Sequence, residues 1–181
     1  MNIRLLLKST FVILVLGFLL PRAFAQGQVY DTALFSVRLP AGAEIRPPTV
    51  DRDSDSATYA YSAKLTNHGW ANVYVNEFNK CCVEDGDHFE IRFSKSRLKS
   101  HFAPGAYPSP ITAATLGGLA GYQQAIRGQV AGGSGLPYLL RWRIAISKDR
   151  RHVWILETTA PGQQELSEAA SEAFFNSLRI K

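Results

Sequence analysis

The sequence predicts an α+β fold: an antiparallel sheet containing a hairpin meander, with helices packed on its faces. Three observations carry this expectation. Several runs alternate apolar and polar residues with period two, short glycine or aspartate turns separate the later runs, and a long amphipathic segment lies near residue 181. A sheet with helices segregated onto its faces is one of the few ways to bury both kinds of apolar surface.

In chain order, "LFSVRLP" alternates Phe35, Val37 and Leu39 before Pro40, and "ATYAYSAKL" and "WANVYVNEF" repeat the pattern with aromatic and β-branched residues. All three read as half-buried strands. Between the first and the second, "RPPTVDRDSDS" is rich in Pro, Asp and Ser and reads as an exposed loop. The segment 88–102 is ambiguous, because Phe89, Ile91 and Phe93 alternate as in a strand. Asp87 followed by Glu90 fits a capping box and Phe89 with Phe93 fits an i, i+4 pair, which favours a helix. From Ile111 onward, Gly117-Gly118 separates "ITAATL" from "LAGYQQAIRGQV", "AGGSG" precedes "PYLLRWRIAISK", and Asp149-Arg150 precedes "RHVWILETT". Turns this short between strand-like runs predict consecutive hairpins. In "QQELSEAASEAFFNSL", Leu166, Ala169, Ala170, Ala173, Phe174 and Leu178 recur at helical spacing, with Pro161 near the start. Phe174 and Leu178 are expected to pack on the sheet while Ser167, Glu168 and Ser171 face water.

The N-terminal "MNIRLLLKSTFVILVLGFLLPRAFAQ" has the form of a secretory signal. Arg4 and Lys8 precede an apolar run of ten residues from Phe11 to Leu20, and Ala23 and Ala25 have the spacing of a cleavage site. The run is about half of the roughly 20 residues a membrane-spanning helix needs. Cleavage between Ala25 and Gln26 is expected, leaving residues 26–181 as one mature domain. Gln26 stands where a lipoprotein would need cysteine. The chain carries 20 Lys and Arg against 15 Asp and Glu, but Arg4, Lys8 and Arg22 leave with the leader, so the mature part carries 17 against 15. That small excess, with only Lys95, Arg97 and Lys99 clustered, does not resemble a phosphate-binding surface, and no nucleic-acid partner is expected. The mature part has no run long enough to span a membrane. Its localisation is expected to be periplasmic or secreted.

The chain has two cysteines, and they are adjacent: "NKCCVEDGDHFE" holds Cys81 and Cys82. Neighbouring α-carbons lie about 3.8 Å apart, below the usual disulfide span of about 4.4–6.8 Å, so a vicinal bond demands a distorted turn. On a continuing strand the two side chains would point to opposite faces. Three readings stay open: a strand-end pair, a vicinal redox pair, or a metal site in which His88 joins Cys81 and Cys82 with Asp85 or Asp87 as a fourth ligand. The spacing lacks the C-x-x-C or H-x-x-x-H separation that turns two ligands toward one ion. Asp85-Gly86-Asp87 reads more simply as a turn and an N-cap. No cofactor or bound metal is expected.

Catalytic signatures are missing. "GGSGLP" places Ser134 among glycines, but Leu136 occupies the last position of a would-be nucleophile elbow. His68, His101 and His152 show no paired spacing, although a Ser-His-Asp triad can assemble from distant positions. Trp70, Trp142 and Trp154 lie inside predicted strands and are expected in the core.

"FSVRLPAG", "LGGLAGYQ", "RWRIAIS", "HVWILETT" and the closing "FFNSLRI" together resemble the PsbP-like fold group, which includes PsbP of photosystem II and the periplasmic DcrB family. The resemblance extends over most of residues 33–181 and rests on apolar pattern, glycines and F-x-x-S-L. It implies an accessory or docking role and transfers no catalytic set. The expected function is an exported non-catalytic accessory or binding domain of the cell envelope, docking a protein partner or small ligand. The alternatives are an envelope enzyme, hydrolase or thiol-dependent, and a metal or redox sensor built on Cys81 and Cys82.

Overall fold

A computed structural model describes residues 27–66, 68–79, 83, 88–132, 135–161 and 168–181. Its strands are β1 (Val29–Asp31), β2 (Phe35–Arg38), β3 (Glu44–Ile45), β4 (Thr49–Arg52), β5 (Ser56–Lys64), β6 (Trp70–Phe78), β7 (Tyr107–Pro108), β8 (Thr112–Leu116), β9 (Leu119–Gln129), β10 (Pro137–Ile146), β11 (His152–Pro161) and β12 (Arg179–Ile180). The helices are α1 (Phe89–His101) and α2 (Glu168–Asn176). The described residues are thus mostly antiparallel sheet with two helices, the expected α+β class.

The large sheet runs in the order β3-β5-β6-β11-β10-β9-β7, with β4 also on β5 and β8 also on β9. The meander β8-β9-β10-β11 is built as the turn residues predict. Leu116 pairs with Leu119 across Gly117 and Gly118, whose φ angles of 58° and 84° suit the mirror-image turn that matches strand twist. β10 and β11 are buried almost throughout, because both of their faces are covered. One face presents Leu140, Trp142, Ile144, Val153 and Ile155, packed under α1 through Phe93 and Phe102. The other presents Ala145, Trp154 and Leu156 to Phe174, Phe175 and Leu178 and to the smaller sheet β1-β2-β12, which contributes Phe35 and Val37.

A cluster of polar contacts fixes α2 over its face. The Arg143 guanidinium donates to Gln123 Oε1 at 2.9 Å, Asn176 Oδ1 at 2.7 Å and Glu172 Oε2 at 2.6 Å, and lies 5.2 Å from the Phe175 ring centre. Charge-assisted bonds from one planar fork to three partners set both the position and the angle of the helix.

Several expectations are corrected. "RPPTVDRDSDS" contains β4, a fully exposed strand on the sheet edge, whose polar composition reflects edge position rather than loop structure. Pro161 ends β11 instead of opening the tail helix. Ser171 is fully buried, not solvated, because Arg141 Nη1 donates to its hydroxyl at 3.3 Å. Ala169 and Ala173 are exposed, so the buried stripe of α2 is narrower than its spacing suggested. α1 is capped at His88 with no side-chain cap bond, so the helix starts one residue beyond the predicted capping box, and Asp87 lies outside the described residues. Phe174 and Leu178 are buried as expected, at 1% and 0% exposure.

Both edges of the large sheet are protected. Pro47 and Pro48 precede β4. On the far side Pro108 pairs with Ile126 and Thr112 with Gln123, so three residues oppose two and form a bulge between β7 and β8. Ser109 stabilises the bulge, its N–H donating to Ala125 O and its hydroxyl accepting from Ala125 N–H. Prolines and bulges deny a foreign strand a regular ladder.

Candidate functional site

β11 reads "HVWILETTAP", an apolar run interrupted by Glu157. Alternation puts Glu157 on the α1 face beside Ile155, opposite Asn72 of β6 and Trp142 of β10. A carboxylate there loses its water, and its exposure is 1%. It survives because partners converge on it. Asn72 Nδ2 donates to Oε1 at 3.1 Å, Tyr74 OH reaches the same oxygen at 3.5 Å, and Arg97 Nε lies 2.7 Å from Oε2. The last contact is an ion pair rather than an aligned hydrogen bond.

α1 delivers Arg97 by turning Glu90, Ser94 and Arg97 inward. Ser94 donates to Gln124 Oε1 at 2.7 Å, which fixes the helix rotation. The Arg97 guanidinium lies 4.6 Å from the Phe93 ring centre and 5.2 Å from that of Tyr74, so two π faces share in replacing its hydration. Burial, reinforced by the Glu157 charge, pushes the Tyr74 hydroxyl well above the ordinary phenol range. Burial likewise holds His101 below the usual histidine range, with Glu157 opposing and Arg97 assisting. Tyr138 is raised mainly by burial. Burial thus disfavours the charged forms of Tyr74, His101 and Tyr138 around the Arg97–Glu157 ion pair.

The remaining histidines are dispersed among structural roles. His68 is an exposed turn residue with φ 62°, and His152 stacks on Trp154. Ser147, Asp149 and His152 do meet, but as a hairpin turn. Ser147 OH donates to the Asp149 carboxylate and accepts from the His152 backbone N–H, leaving the imidazole with no bond to the hydroxyl. Ser100 OH contacts His101 Nδ1 at 2.7 Å and also bonds back to Ser96 O, a local helix contact. A polar pocket of about 150 Å³ lies between α2 and β9, lined by Gln123, Arg141, Glu168, Glu172 and Phe175. It is below the roughly 300 Å³ at which ordinary ligand pockets begin.

Cys81, Cys82, Asp85, Asp87 and Ser134 lie outside the described residues, as do Ala25 and Gln26. His88 is described: it is exposed, with Nδ1 3.5 Å from Glu90 Oε1. Among the described residues no cluster of three or more His, Cys, Asp or Glu could hold a metal. Trp142 and Trp154 are core residues as expected, whereas Trp70 is half-buried. Of Lys95, Arg97 and Lys99, which cluster in the sequence, only the lysines are exposed, and Arg97 turns inward. The network around Glu157 was missed by motif analysis. Its signal was a carboxylate inside an apolar strand, which must find partners when the strand is covered.

No protein-family model and no curated protein matches the chain. Among solved structures it is similar to LpqN, described as involved in cell envelope biogenesis of Mycobacterium tuberculosis, with a TM-score of 0.51 at 16% identity over 86% of this chain and 85% of that one. At that identity the likeness shows the fold. Among the described residues no helix is long and apolar enough to cross a membrane.

Proposed function

We propose that the chain is an exported, non-catalytic accessory or binding domain of the cell envelope, PsbP-like in fold, with residues 26–181 as its mature part and a protein or small ligand as its partner. The observation that carries this reading is the state of Glu157. The most buried carboxylate of the described chain is held by Arg97, Asn72 and Tyr74 and has 1% exposure, so it serves the packing of α1 rather than a substrate. The leader pattern in residues 1–25 supports export, and LpqN, whose fold this one is like, is named for envelope biogenesis.

Intact mass spectrometry tests the proposal. The exported chain is expected to begin at Gln26 and to keep its mass after treatment with a fluorophosphonate. A product retaining "MNIRLLLK" would overturn export, and stoichiometric labelling of one serine would replace a binding role with hydrolysis.

Cys81 and Cys82 are proposed as a local pair without resident metal. Cross-links stabilise through the loop they close, which between neighbours is nearly nothing. Changing both to Ser is expected to leave folding intact and to shift the thermal midpoint little, with or without reductant. Zinc or copper near one per chain, lost in the double variant, would instead make the pair a metal sensor with His88 as a further ligand.

A further inference from the structure

Positive charge is unevenly distributed along the chain. From Ile91 to Lys148, 58 residues contain no Asp or Glu but include Arg92, Lys95, Arg97, Lys99, Arg127, Arg141, Arg143 and Lys148. Arg97 and Arg143 are neutralised internally by Glu157 and Glu172. Lys95 and Lys99, one turn apart on the exposed stripe of α1, stay in water with no ion pair among the described residues.

Beside these lysines lies an open groove of about 560 Å³, lined by Leu98, Phe102, Pro104 and Ala106. The segment after α1 runs along the β9–β10 hairpin. Ala103 N–H donates to Gln129 O, Ala131 N–H to His101 O and Val130 N–H to Leu136 O. That pairing brings two of the most exposed large apolar side chains to one end of the molecule, Tyr107 at 78% and Leu136 at 55% exposure.

We propose that this end, comprising Lys95, Lys99, the groove, Tyr107 and Leu136, docks on an anionic lipid surface. The chemistry favours lipid over an acidic protein. The exposed apolar groups stand apart, Tyr107 on the short edge strand β7 and Leu136 just ahead of β10, rather than side by side on one strand as a flat patch, a form suited to entering a headgroup layer between lipids. Tyrosine is at home there, with an apolar ring and a polar tip. The lysines are mobile point charges that need no fixed carboxylate geometry. No acidic side chain in the 58-residue span opposes the attraction. The proposal goes beyond the accessory role and does not depend on export.

The test is co-sedimentation of the mature chain with vesicles of phosphatidylcholine alone and of phosphatidylcholine with equimolar phosphatidylglycerol. Binding is expected to the anionic vesicles only and to weaken with salt. Each lysine near the surface contributes about a fivefold gain in partitioning, so Lys95→Gln with Lys99→Gln should reduce binding about 30-fold. Tyr107→Ser with Leu136→Ser should reduce it by about tenfold or more. All four positions are exposed, so far-ultraviolet circular dichroism should be unchanged. No binding to anionic vesicles, or binding that both double variants retain, overturns the proposal. Binding of soluble polyglutamate as tight as that of vesicles, with the Tyr107 and Leu136 variant unimpaired on both, would assign the face to an acidic polypeptide and also overturn it.

Discussion

Replacing Arg97 by Ala is expected to destabilise the fold by about 3–5 kcal/mol, because it leaves the Glu157 carboxylate buried without its counter-charge. The arginine side chain is itself 18% exposed, which places the expectation toward the lower end. For a chain of this size the thermal midpoint should fall by roughly 10 °C. A double variant separates a stranded charge from lost packing. Arg97→Met with Glu157→Leu removes both charges at similar volume and should recover most of the loss. Recovery should stop about 1–2 kcal/mol short, since Asn72 and Tyr74 then lack an acceptor. Guanidinium denaturation of the four species reads this directly. Single and double variants of equal stability would mean that the pair contributes only bulk.

Phe174→Ala should have an effect of similar size, about 3–5 kcal/mol, for an apolar reason. Its ring is 1% exposed in the cluster that joins α2 to Phe35, Val37 and Leu178, and its centre lies 5.6 Å from that of Phe175. Truncation opens a cavity between a short helix and two sheets, where strands fixed by hydrogen bonding cannot collapse to fill it. A denaturation midpoint equal to that of the parent chain would show that α2 is not docked in solution.

The strands were legible because their alternation is local. Phe35, Val37 and Leu39 declare β2 within five residues, and Gly117-Gly118 declares the turn after β8 without reference to the rest of the chain. What escaped depends on partners far away in sequence. Ser171 is polar and sits in an amphipathic segment, so nothing nearby distinguishes it from a surface serine until β10 places Arg141 beneath it. Arg97 belongs to a basic cluster in the sequence, yet helix rotation sends it inward and leaves Lys95 and Lys99 outside. Helix and strand patterns competed at Phe89, Ile91 and Phe93. The helix resolves them by exposing Ile91 at 38% and turning both phenylalanines toward the sheet. β4 was hidden by its own protection, since an edge strand guarded by proline and charge has the composition of a loop.

The small sheet couples distant parts of the chain in time as well as in space. β2 pairs with β12 through Phe35↔Ile180 and Ser36↔Arg179, and the Arg38 N–H donates to Ser177 Oγ, 139 residues away in sequence. A chain emerging from the ribosome or from a translocation pore in the N-to-C direction therefore presents β2 long before its partner exists. Pairing over so large a separation is entropically late, and it slows folding relative to the local hairpins β8–β11. Until Ile180 arrives, Phe35 and Val37 have no complete core to enter. Closing the small sheet therefore waits on residues 177–180, whereas the hairpins of β8–β11 need only their neighbours.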